Sequence, residues 1–337
     1  MGLVGMIANP AASKDIRRLV AQGRVVPDWE KVNTVRRVML GLQSVGVKRV
    51  LAMPDSSNLV RRASDDPNLS IGLEFLDMPS FNSEGDTVRA AALMAEQGVD
   101  CLVTLGGDGT NRAAVVGCRN LPMVAISTGT NNVFPAMVEG TLAGLAAGMV
   151  AEGKLDLSEV SQSSKIMNVY VDGELRDIAL IDVALSKERF VATRAIWDID
   201  TLFEVFLTRA EPASIGLSSI GARLAAVSLA DEGGLRYSIA GPEEEASAGS
   251  CTVLAPIAPG VVPAVVISSW QRMADGERLA VEKRDCMVAL DGERAFSVNR
   301  SQQLEVEVIR DGPPVIDVDL ALKIASSQGL FNLAPGN

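Results

Sequence analysis

The sequence contains no histidine. That absence removes Ser-His-Asp and Cys-His nucleophilic catalysis and every histidine-ligated metal site. Acid–base work then falls to Asp, Glu, Lys, Tyr or Cys. A metal, if one is used, is a hard cation held by oxygens, magnesium being the usual one. Cysteine is almost as sparse. Cys101, Cys118, Cys251 and Cys286 stand apart in apolar sequence with no CxxC spacing, so no thiolate zinc site is expected and a reduced, cytoplasmic protein is. No apolar run approaches the roughly 20 residues that cross a bilayer. The start, MGLVGMIANP, has neither the basic region nor the cleavage site of a signal peptide. Positive charge is also short: the net charge is −11, which argues against a nucleic-acid partner. Two common phosphate motifs are missing as well. There is no G-x-x-x-x-G-K-[ST], and no G-x-G-x-x-G follows the first apolar run.

What is present fits two domains in 337 residues. In the first part, strand and helix signals alternate. Residues 3–9, 47–54, 70–79, 100–105 and 122–127 are short apolar runs that predict strands. Residues 34–46, 83–98 and 133–153 predict helices between and after them. Strands spaced by helices imply βαβ units and a doubly wound, mostly parallel α/β sheet. From about residue 156 the texture changes to closely spaced strands, which predict an antiparallel, β-rich domain. Asp172-Gly173 marks a hairpin between 165–173 and 174–186. Segments 189–210, with Trp197, Phe203 and Phe206, and 218–231 are expected to be helices, and 241–250 a surface loop. The boundaries are expected at 1–155, completed by 316–337, and 156–315.

The chemistry concentrates in LGGDGTN, residues 105–111. Alone, this is either a tight turn with Asp108 near a helix cap or a backbone that approaches phosphate closely. One strand later, ISTGTNNVFP (126–135) repeats the design. Two such loops at adjacent strand ends favour a nucleotide phosphate site, because ligands of open α/β sheets sit at the carboxyl ends of strands. Asp291 and Glu293 in LDGER are either a hairpin turn or acidic groups held over the cleft, and one turn can do both. Lys14 is either a phosphate-facing charge or an ordinary helix-start lysine.

TLGGDGTN resembles the nucleotide loop shared by NAD kinases, diacylglycerol kinases and sphingosine kinases. IANPAASK resembles the NP-x-x-G-K opening of the diacylglycerol kinase side, with Ser13 where glycine is usual. STGTNNVFP is similar to that side's GTGNDFA segment. TVLAPIAPGVVPAVVI (252–267) is similar to an NAD kinase segment, with Gly260 in place of a histidine. Over its whole length the chain is most similar to the AcoX-type, NAD-kinase-like proteins associated with acetoin catabolism operons. The resemblance implies an ATP- and Mg²⁺-dependent kinase. Its nucleotide site would comprise Asn9, Gly106, Gly107, Gly109, Thr110, Asn111, Thr128, Gly129, Thr130, Asn131 and Asn132. Asp108 would orient or deprotonate the acceptor hydroxyl and hold the metal, with Asp291 and Glu293 assisting. NAD, phosphorylated at the 2′-hydroxyl of its adenosine ribose, is the default acceptor. However, in the strand where NAD kinases carry an Asn-Glu or Asn-Asp pair, this chain reads ALID. Ile181 stands where the asparagine would, and only Asp182 remains to face the acceptor. A small polyol or keto-alcohol acceptor, or a regulator that binds ATP or NAD(P) without turnover, stays open. The resemblance also implies a homo-oligomer, a dimer or tetramer.

Overall fold

Five short, nearly continuous apolar runs form parallel strands because helices cover both of their faces. They are β1 (Leu3–Ala8), β2 (Arg49–Ala52), β3 (Gly72–Phe75), β4 (Cys101–Gly106) and β5 (Met123–Ser127). The computed structural model describes residues 2–12, 23, 25–129, 131–187, 199–240 and 249–332. Ser13, Lys14, Thr130, Trp197 and most of the 241–250 loop lie outside them. With β6 (Ser161–Ser163) and a late strand, β18 (Pro314–Ile316), the sheet order is β3-β2-β1-β4-β5-β18-β6. Along β4 the side chains alternate: Cys101, Val103 and Leu105 pack on one face and Leu102 on the other.

The helices of this domain are α1 (Asp28–Ser44), α2 (Leu59–Ser64), α3 (Glu84–Glu96), α4 (Asp108–Gly117), α5 (Gly140–Ala151) and α6 (Leu157–Val160). Residues of α1, α2 and α5 share one core and residues of α3 and α4 the other, so the sheet is wound on both sides. Helices α1 and α5 meet backbone to backbone. A Cβ on Gly144 would lie 2.2 Å from the Val38 carbonyl, and one on Gly41 would lie 2.4 Å from the Thr141 carbonyl.

The second domain holds β7 (Ile166–Val171), β8 (Glu174–Ala179), β9 (Asp182–Ser186), β10 (Leu202–Leu207), α7 (Leu217–Leu224), β11 (Gly234–Ile239) and β12 (Cys251–Leu254). It continues with β13 (Ala264–Met273), β14 (Arg278–Ala280), β15 (Cys286–Leu290), β16 (Glu293–Val298) and β17 (Leu304–Ile309). Its sheets run β12-β13-β11-β10-β9-β15-β16 and β14-β17-β7-β8, with antiparallel pairing throughout. The chain then returns to the first domain. There β18 (Pro314–Ile316) pairs with β5 and β6, and α8 (Val318–Ser327) packs into the core shared by α1 and α5.

Four local expectations are corrected. Residues 202–207 are a strand, not part of a helix over 189–210. Every residue of β10 is buried, and a segment buried on all sides carries no period. The helix expected from 133 begins only at Gly140, because the amides of Val133 and Phe134 are taken by the Asp108 carboxylate. The single strand expected over 174–186 is two strands in different sheets, broken where Asp291 captures the backbone at Leu180 and Ile181. Helix α7 also stops early, and Val227 pairs with Ala210 instead.

Candidate active site

The loops that leave β1, β2, β4 and β5 open on one side of the sheet, at the strands' carboxyl ends. They border a cavity of about 510 Å³, together with residues 80–87 and the Asp291 hairpin of the second domain. This is the edge where open parallel sheets bind ligands.

The loop after β4 passes straight into α4. Gly107 is its N-cap residue and supplies no capping side chain, so the helix N-terminus points its first amides at the cavity rim. Such an end attracts anions. Gly106 has no room for a side chain, since a Cβ would lie 2.5 Å from Thr110 Oγ1. Thr110 Oγ1 in turn accepts from Asn9 Nδ2 at 2.8 Å, which ties the loop after β1 to the loop after β4. That first loop is held from behind by Lys31. Its buried Nζ donates to the carbonyls of Pro10 and Ala12, both at 2.8 Å.

The loop after β5 is fastened by Asp108. Its carboxylate accepts from Phe134 N at 2.8 Å and from Val133 N at 3.1 Å. Asn132 lies between the two glycine loops. Its Nδ2 donates to Ser127 Oγ at 2.9 Å, and its amide covers the faces of Gly107 and Gly129. The Thr128 hydroxyl is buried and has no hydrogen-bond partner among the described residues.

From the second domain comes the Asp291-Gly292 turn between β15 and β16. Both residues have positive φ, 50° and 78°, the pattern of a two-residue type I′ hairpin turn. Asp291 is buried, and Oδ1 accepts from the amides of Ile181 at 2.7 Å, Leu180 at 3.0 Å and Asp182 at 3.2 Å. Burial pushes its pKa up to about 7, against the pull of the Leu180 amide and Arg112, with Asp108 adding to the rise. Asp182 is itself buried, and its Oδ1 accepts from Gly292 N at 3.2 Å. Glu293 differs from both. It lines the cavity, its Oε1 lies 3.6 Å from where a Cβ on Gly109 would be, and it accepts no hydrogen bond among the described residues.

Of the site residues expected from sequence, Asn9, Gly107, Asp108, Gly109, Thr110, Gly129, Asn131, Asn132, Asp291 and Glu293 line one cavity. Gly106, Asn111, Thr128 and Asp182 do not line it, and Thr130 lies outside the described residues. Asn111 is buried behind the loop, where it accepts from Thr104 Oγ1 and donates to the Gly107 carbonyl.

Several residues of the site carried no motif. Asp55 lines the cavity and caps α2 through the Leu59 amide, its pKa raised chiefly by burial. Asp86 caps α3 by accepting from Ser83 N. Arg112, buried on α4, joins Glu84 of α3 to Asp177 of β8 and so links the two domains. Burial opposes its charge, but Glu84, Asp291, Asp177 and Glu293 together hold its pKa above the ordinary value. One signal could have found the acidic caps: any polar cluster directly after a parallel strand falls on the same edge.

The cavity wall carries Asp55, Glu84, Asp86, Asp108, Asp291 and Glu293, with no Lys or Arg among the described lining residues. No group of three or more metal-binding side chains gathers among the described residues. A divalent ion would therefore bring most of its ligands with it, as magnesium does when bound to phosphates and water. The uncapped helix end and the side-chain-free glycines at the cavity fit a phosphate-bearing ligand.

Comparison with known proteins agrees with this architecture. Residues 4–154 match the ATP-NAD kinase N-terminal domain, and residues 165–311 match the acetoin catabolism protein X C-terminal domain. The chain is 39% identical over 345 aligned residues to acetoin catabolism protein X of Cupriavidus necator, covering 99% of this chain and 95% of that protein. Among solved structures, a diacylglycerol kinase from Bacillus anthracis is 12% identical, with 94% of this chain and 96% of that one covered and a TM-score of 0.43. A putative diacylglycerol kinase from the same organism is 14% identical at the same coverage, with a TM-score of 0.46. With its kinase-like α/β domain joined to the antiparallel domain matched at 165–311, the chain belongs to the acetoin catabolism protein X family.

Proposed function

We propose that the chain is an ATP-dependent phosphotransferase acting on the hydroxyl of a small-molecule acceptor. One observation carries this reading. Two glycine loops, a helix N-terminus and Glu293, a carboxylate that accepts no hydrogen bond among the described residues, meet at one cavity from two domains. In phosphoryl transfer, positioning and charge neutralisation do most of the work, and the parts of the cavity divide that labour.

When bound, magnesium-ATP supplies the transferable phosphoryl group. Gly107 and Gly109 allow close backbone approach, and the end of α4 faces the phosphate charge. Asp108 fixes the β5 loop against α4 and would help hold a magnesium ion brought in with the nucleotide. Asp291 organises the Leu180–Asp182 backbone behind the acceptor. Glu293 takes the acceptor's proton, because Asp108 and Asp291 already accept backbone amides. Six carboxylates on the wall make bare polyphosphate a poor ligand, so the wall would favour nucleotide as its magnesium complex.

For the acceptor, Ile181 favours a compound smaller than NAD. It is fully buried, and the neighbouring Asp182 carboxylate is turned to Gly292. The test is incubation with ATP and Mg²⁺ against NAD and a panel of small hydroxy compounds, with NADP and acceptor-dependent ADP as readouts. Acceptor-dependent ADP supports transfer, and NADP alone would make NAD the acceptor. A rise in melting temperature with ATP but no ADP from any acceptor would leave a nucleotide-binding regulator instead.

A further inference from the structure

Arg209 follows β10 at the rim of the second domain and is only 7% exposed. Its backbone is fixed on both sides. Thr208 donates to the Leu180 and Ile181 carbonyls, Ala210 N donates to the Val227 carbonyl, and the Arg209 carbonyl accepts from Ser218 Oγ. Its guanidinium lies 5.5 Å from the centre of the Phe134 ring. Phe134 is the residue whose amide donates to Asp108 at 2.8 Å, so Arg209 stands one ring away from that carboxylate.

What the side chain lacks is an acceptor. Among the described residues it donates no hydrogen bond and makes no ion pair, and its only direct partner is that ring. Buried arginine is normally paired, because a guanidinium carries five donors and loses its hydration on burial. A ring face repays only part of that loss. The charged groups that act on it are Glu211 and Asp108, which favour its charge, and Arg310, which opposes it. Burial outweighs them and draws its pKa below the ordinary guanidinium value. Arg310 and Arg209 both bear on the buried Lys165, whose ammonium is already committed to the carbonyls of Ser228, Asp231 and Gly233. Of these three cations, Arg209 is the one whose donors are unassigned.

We propose that Arg209 is an anion anchor, its planar fork pairing with a phosphate or carboxylate group carried by the acceptor beside Asp108. This rests on the phosphotransferase reading only for the word acceptor, and the anion site itself is testable without turnover. It makes the acceptor an anionic hydroxy compound. The cavity wall, with its six carboxylates, repels such a molecule, and Arg209, which lies outside that wall beside the Phe134 ring, supplies compensating charge from the second domain.

The test is calorimetric titration of the intact protein with inorganic phosphate and, separately, with acetate. Both are run with and without a saturating non-hydrolysable ATP analogue and magnesium. Wild type is expected to bind at least one of the two anions, nucleotide present or absent. Arg209→Met is expected to weaken that binding by roughly tenfold to a hundredfold, while its affinity for the nucleotide analogue stays within about twofold. Arg209→Lys, which keeps charge but loses the fork, should fall in between, and it decides the matter if the methionine variant does not fold. Equal anion affinity in the folded variants and wild type overturns the proposal. So does a parallel loss of nucleotide affinity, which would assign Arg209 to the nucleotide's own phosphates. Nucleotide binding without acceptor-dependent ADP would defeat the phosphotransferase reading and leave the anion titration standing.

Discussion

Asp108 accepts the Val133 and Phe134 amides, whereas Glu293 accepts no hydrogen bond among the described residues. Their variants should therefore fail differently. Glu293→Gln is expected to lower kcat by roughly 10²- to 10⁴-fold, the usual worth of a general base, with the denaturation midpoint unchanged. Asp108→Ala leaves two amides unpaired and is expected to cost about 1–3 kcal/mol of stability, read as a lower urea midpoint. Asp291 adds a pH dependence of definite sign. Its folded pKa of about 7 lies above the ordinary value of 3.8, so between these values the folded state binds the extra proton. The group's stabilising contribution is then complete below about pH 4 and declines as pH rises towards 7. Melting temperature followed across that window should fall less steeply in Asp291→Asn than in wild type. An unchanged slope would mean that Asp291 ionises normally.

Elements were legible from sequence where burial is one-sided or a cap is local. The parallel strands, α3 with its Ser83 and Asp86 cap, and the Asp291-Gly292 turn carry their signals within a few residues. The rest depends on partners far along the chain. The break between β8 and β9 is imposed by Asp291, more than a hundred positions away. The late start of α5 is imposed by Asp108, and β10 is too evenly apolar to declare a period. In the candidate site, the glycine loops announced themselves, whereas Lys31 and Arg112 are tied to its loops only through tertiary contact. The α1–α5 contact gives a prediction at this scale. Alanine usually stabilises a helix interior over glycine by about 1 kcal/mol. At Gly144 the added carbon meets the Val38 carbonyl at 2.2 Å, and overpacking of this kind costs about 1–3 kcal/mol. Gly144→Ala should therefore lower the urea midpoint with the m-value unchanged, and a gain in stability would show that the helices separate freely.

At the scale of the whole molecule, Arg112 couples the domains. Its partners Glu84 and Asp177 are 39% and 29% exposed, so the network is worth less than a fully buried one, about 1–3 kcal/mol. Arg112→Met is expected to lower the calorimetric transition and to reduce its van't Hoff enthalpy below the calorimetric enthalpy, the mark of domains unfolding separately. A single sharp transition at the wild-type temperature would place the coupling elsewhere.

The path of the chain has a consequence for synthesis. Strand β18 and helix α8, which finish the first sheet and one of its cores, are the last described elements to be made. Domains tend to close as units while the chain emerges. Here the second domain has all its strands before the first has its last one. A nascent chain halted before Pro314 exposes the edge of β5 and the α1–α5 face that α8 covers, so the first domain is the later of the two to be completed.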